Sequence, residues 1–186
     1  MTTEKVDPNK PSPEQTLFAN TVLEIISPTV ESFGFVKDSI EIKQYSTNII
    51  FRKGKLYIKI SSSTYPRDQP YFYNLILGEG DSENFYEFDW NSIALWRLKT
   101  KINARAKAKE FKFPYGDKVK FSVINANNEL VKYADSFLHG ELTIFYEIRS
   151  QQNKNREPFK IHTPDKDGNY QTTDDPKSVE QKKKYS

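Results

Sequence analysis

The sequence predicts an α+β fold: an N-terminal helix packed on an antiparallel sheet of about four strands, then two or three helices and a polar C-terminal tail. Two stretches carry most of this. Thr47–Ile60 alternates apolar and polar residues on either side of a glycine turn, the pattern of a β-hairpin. Pro13–Ser27 instead repeats its apolar residues at helical spacing.

Taken in order, residues 1–12 are polar and proline-bearing and read as a disordered leader. Ser12 is placed to cap a helix that starts at Pro13, with Gln15 at the capping-box position. Leu17, Phe18, Val22, Ile25 and Ile26 form its apolar stripe. Pro28 begins a second short turn over Thr29–Phe33, which Gly34 ends. Ser39–Tyr45 is a strand with Ile40 and Ile42 on one face.

In the hairpin, Lys53-Gly54 is the expected two-residue turn, which pairs Phe51 with Leu56 and Ile49 with Ile58. One face then holds Ile49, Phe51, Leu56, Ile58 and Ile60. The other is mostly wet, with Asn48, Arg52, Lys55 and Lys59 around Ile50 and Tyr57. Tyr71–Leu77 is apolar on both faces and reads as a central strand.

Trp90–Lys109 is a helix whose residues Arg97, Lys101 and Arg105 fall at i, i+4 and i+8. Pro114-Tyr115-Gly116-Asp117 is a turn, and Asn127–His139 is a helix ended by Gly140. Thr143–Asn153 fits helix and strand; helix is preferred. Residues 13–153 therefore make one domain. Residues 154–186 make a polar tail with a small hairpin over Phe159–Thr163 and Asn169–Thr173 and a frayed, Lys-rich end.

Composition narrows the function. The chain has no cysteine, which excludes disulfides, zinc–thiolate sites and cysteine nucleophiles. No apolar run reaches the length of a membrane span and no signal-peptide core opens the chain, so it reads as soluble and cytoplasmic, with no membrane partner. Its two histidines, His139 and His162, lie on different elements, and no metal or cofactor site is expected. Asp165-Lys166-Asp167-Gly168 lacks the acidic positions and flanking helices of a calcium loop. Gly78-Glu79-Gly80-Asp81 lacks the lysine of a phosphate loop. Glu79–Asp89 holds five carboxylates and no cation, and reads as a solvated loop beside the next helix.

The net charge of +3 is small, but its distribution is uneven. Between Asn91 and Lys120 nine Lys and Arg residues face only Glu110 and Asp117, a local net of +7, with Phe111, Phe113 and Tyr115 among them. Such a stretch suits a phosphate backbone with stacked bases, or a solvated helix face paired with the acidic segment before it. Trp90, Trp96 and Tyr115 add the residue types that dominate binding hot spots. The candidate binding residues are Arg97, Lys101, Arg105, Trp90, Trp96 and Tyr115.

The order of elements resembles small, uncharacterised bacterial α+β proteins of the toxin-immunity type. The resemblance rests on a helix ending in Gly34-Phe35, strands with Ile49-Ile50-Phe51-Arg52 and Leu56-Tyr57-Ile58, and the later segment Leu138-His139-Gly140-Glu141-Leu142-Thr143. It implies a non-enzymatic protein-binding domain that occludes a partner, and it assigns no functional residue. The alternative expectation is a nucleic-acid-associated protein binding through Arg97, Lys101 and Arg105.

Overall fold

A helix meets a sheet because each has one apolar face, and the chain supplies both within its first third. The computed structural model describes residues 9–80, 89–106 and 111–185. Helix α1 runs over Pro13–Ser32. Ser12 caps it by accepting the Gln15 backbone N–H at 3.1 Å. The Gln15 side chain does not turn back to the cap. It is fully buried and joins the helix to the sheet, accepting from Thr47 Oγ1 and Ser62 Oγ and donating to Thr64 Oγ1.

Phe18, Val22, Ile26 and Val30, four residues apart, have no exposure and form the inward stripe. Leu17, expected on that stripe, is 45% exposed. The helix also runs through Pro28, where a break was expected. Proline removes one helical hydrogen bond, but burial of Ile26 and Val30 on either side holds the geometry.

The sheet order is β1-β2-β3-β4-β5, all antiparallel, over Val36–Ile42, Ser46–Lys53, Leu56–Ser63, Phe72–Glu79 and Ser92–Ala94. A two-residue strand β6, Phe111–Lys112, pairs with the other end of β4. Four long strands, as expected, are thus extended by two short ones among the described residues.

The hairpin turn is Gly54-Lys55, so Lys53 pairs Leu56 and Phe51 pairs Ile58, two positions from the expected register. Gly54 has φ +59° and Lys55 does not have positive φ, the pattern of a type II′ turn. A shift of two keeps every side chain on its face. Ile49, Phe51, Leu56, Ile58 and Ile60 are accordingly all buried together.

Helix α2 covers only Leu95–Ile102, because Ser92–Ala94 pairs with β4 instead of opening the helix. Helix α3, Lys118–His139, starts nine residues before the expected Asn127. Val119, Val123, Ala126 and Leu130 carry its buried stripe back through the weak helix-forming asparagines. Gly140 ends it with φ +89°. Helix α4 is Thr143–Asn153, as preferred. Helices α1 and α3 pack against each other, and the buried apolar residues of both belong to the main core on one face of the sheet.

The other face is drier than expected. Ile50, Tyr57 and Ile76 form a second buried cluster there, and Lys59 is 8% exposed. The Tyr57 hydroxyl donates to Asn91 Oδ1 at 3.1 Å, and Asn91 Nδ2 donates to the Glu79 carbonyl.

The C-terminal segment is held to the body rather than frayed. Strands β7 (Lys160–Pro164) and β8 (Tyr170–Asp174) form a separate, exposed hairpin, and helix α5 spans Pro176–Tyr185. Ser178 Oγ accepts from Trp90 Nε1 and from the Phe159 N–H, while Asn153 Nδ2 donates to the carbonyls of Trp90 and Tyr185.

Lys59 gives the sheet a pH signature. Burial lowers its pKa from 10.5 to about 8, against the opposing pull of Glu41 and Asp89. Between those two values the unfolded chain binds the extra proton, so stability rises with pH, by on the order of 2 kcal/mol. Burial also raises the pKa of Tyr57 and Tyr73 above 10, so above that pH the unfolded phenols ionise first and stability falls. Chemical denaturation across this range should show a maximum near pH 10. Lys59→Met should abolish the rise; an unchanged rise would mean that Lys59 is not its source.

Candidate functional site

The basic stretch does not form the surface that its helical spacing predicts. α2 ends at Ile102, with Asn103 as its C-cap, so Arg105 lies in the following turn and shares no helix face with Arg97 and Lys101. Acidic residues from other helices meet several of the cations. Lys101 Nζ lies 2.6 Å from Glu147, Lys99 Nζ 2.6 Å from Glu129, and Lys120 Nζ 3.3 Å from Glu24. The Arg97 guanidinium stacks 4.5 Å from the Trp96 ring centre. Lys107, Lys109 and Glu110 lie outside the described residues, as does most of the acidic stretch Glu79–Asp89.

The candidate aromatics separate as well. Trp90 has no exposure; it is a core residue under the Arg156 guanidinium and cannot meet a partner. Trp96 is half-buried and shares a shallow depression of about 290 Å³ with Arg97 and Lys101. Tyr115 is 48% exposed and stands elsewhere, in a larger groove.

That groove, about 640 Å³, lies between the segment Phe111–Tyr115 and the flank of α3. Its inner wall is built from the core outward. The Phe111 ring stacks on Tyr73 at 5.1 Å, and Phe113 packs against Phe18 at 5.2 Å. Tyr115 then stands edge-on to Phe113 at 5.3 Å. The Phe113 N–H donates to the Tyr71 carbonyl at 2.9 Å, which ties this wall to the end of β4.

The outer wall is α3. Phe121, one turn into the helix, is 77% exposed, and the Tyr73 hydroxyl lies 2.9 Å from Ser122 Oγ beneath it. The Lys99–Glu129 pair stands at the end farther along the helix. Lys112 and Lys118 complete the lining. Among the described residues neither forms an ion pair. Lys118 opens α3 beside its N-cap Asp117, whose side chain makes no capping hydrogen bond. Burial raises the Tyr115 pKa, with smaller contributions from Tyr71 and Glu14, so the phenol stays neutral and can donate.

Phe121 is the residue that sequence reasoning missed; Lys112 and Lys118 are counted in the basic stretch but not singled out. The signal was present: on an α3 begun at Lys118, Phe121 falls away from the stripe of Val119, Val123 and Ala126, so a large ring must face water.

His139 Nδ1 lies 3.0 Å from the Asp135 carbonyl, and His162 contacts Thr172 on the outer hairpin. Asp165 Oδ1 accepts the N–H groups of Asp167 and Asn169, which makes its segment a turn. Glu79 pairs with Arg149 at 2.9 Å. No group of His, Asp and Glu that could hold a metal occurs among the described residues, and none of their helices is long and apolar enough to cross a membrane. The chain matches no protein-family model, no curated protein and no solved structure.

Proposed function

We propose that this chain is a non-enzymatic protein-binding domain of the immunity type that its order of elements resembles, and that it occludes a partner's surface with the groove between Phe111–Tyr115 and α3. The observation that supports this most is the exposed ring of Phe121 beside Tyr115, over an apolar wall and next to two cations that form no ion pair among the described residues. Aromatic residues in a desolvated pocket, ringed by polar groups, are the usual anchors of protein interfaces. The ring of Phe121 is 77% exposed, so most of its apolar surface is available for burial against a partner.

Affinity purification of the tagged chain from its native host, with and without nuclease, tests the reading. A protein recovered under both conditions, and lost from the Tyr115→Ala/Phe121→Ala variant, is the expected result. Recovery that vanishes with nuclease would replace this reading with the nucleic-acid one. Equal recovery by the variant would move the interface away from the groove.

A further inference from the structure

We infer that the occupant of this groove is an extended acidic segment with one aromatic or aliphatic anchor, added as a short strand to the edge of β6 that no described strand covers. The inference rests on the protein-binding reading and specifies the partner's chemistry.

The first support is charge. Among the described residues Lys99, Lys112 and Lys118 line the groove with Glu129 as the one acid, and Glu129 is already committed to Lys99. Among the described residues Lys112 and Lys118 form no ion pair, which leaves both to meet the charges of an occupant. A segment with carboxylates on both sides of its anchor complements them.

Backbone geometry is the second. Phe113 is hydrogen-bonded to Tyr71 across the β4–β6 ladder. Bonded and non-bonded pairs alternate along an antiparallel ladder, so the Lys112–Phe72 pair is non-bonded. The N–H and C=O of Lys112 accordingly point away from β4, on the edge that no described strand pairs. Strand addition uses such an edge for affinity and side-chain pockets for specificity.

Selection of random short peptides on the immobilised full chain tests this, with the selected peptide then titrated against variants and against single-stranded oligothymidine. The expected peptides carry one aromatic residue or leucine flanked by Asp or Glu. Affinity should fall about tenfold or more for Lys112→Glu/Lys118→Glu, whose exposed sites leave the melting temperature unchanged. N-methylation of one peptide amide should abolish binding at the position opposite Lys112.

Neutral or basic peptides, bound equally by the charge-reversed variant, would overturn the acidic occupant while leaving the groove as a protein site. Tolerance of N-methylation at every position would overturn strand addition. Binding insensitive to Tyr115→Ala/Phe121→Ala would sink the groove reading itself. Oligothymidine that displaces the peptide and loses affinity in the charge-reversed variant would assign the groove to nucleic acid and overturn both.

Discussion

Trp90→Ala is expected to cost about 4 kcal/mol of stability, the range for removing a large aromatic side chain from a core. The indole is fully buried and connects three parts of the chain. Its Nε1 donates to Ser178 at the start of α5, its carbonyl accepts from Asn153 at the end of α4, and the Arg156 guanidinium stacks 4.5 Å from its ring centre. Truncation leaves a cavity, leaves Arg156, among the described residues, only the Phe159 ring to stack on, and removes one partner of Ser178. For a chain of this size the melting temperature should fall by roughly 10 °C. Amide hydrogen exchange should accelerate first in α5. Trp90→Phe, which keeps most of the ring and loses the donor, should cost about 1–2 kcal/mol. A loss below about 1 kcal/mol for the alanine variant would mean that the C-terminal segment does not depend on this residue.

Gly78→Ala should destabilise by about 3 kcal/mol, although alanine is normally the better residue within a strand by about 0.5–1 kcal/mol. The reversal of sign has a geometric cause. A Cβ at Gly78 would lie 2.0 Å from Tyr57 Cζ and 2.3 Å from its hydroxyl oxygen. Tyr57 is the cross-strand partner of Gly78, and its ring occupies the space that the missing side chain leaves. The added methyl must push this ring away, which breaks the hydroxyl's bond to Asn91. In a double-mutant cycle the penalty should largely disappear on a Tyr57→Ala background, because the clash has lost one member. An additive cycle would show that the ring does not lie over Gly78.

Periodicity carried the parts of the fold that depend on neighbours in the chain. The inward face of the β2–β3 hairpin follows from alternation alone, and a register error of two residues left it intact. The stripe of Phe18, Val22 and Ile26 likewise follows from spacing. Where a local signal competed with burial, burial won. α1 passes through Pro28 because Val30 is buried beyond it, and Ser92–Ala94 pairs with β4 in a stretch that reads as helix. The C-terminal segment misled for a different reason. It carries no continuous apolar stripe, and single anchors such as Ser178 and Tyr185 leave no periodic trace.

The candidate site divides in the same way. The sequence by itself determined that the chain folds as α+β, that Pro13 starts a helix, which strand faces are apolar, and that cations and aromatics concentrate between Asn91 and Lys120. Only the tertiary structure decided which of those charges remain available. Glu24, Glu129 and Glu147 come from distant segments to meet Lys120, Lys99 and Lys101, while Lys112 and Lys118 are left beside Tyr115 and Phe121. Side-chain periodicity is a property of the backbone over a few residues, so it can be read along the chain. Charge pairing and the covering of a sheet face depend on residues tens of positions apart, and they exist only once the chain has closed on itself.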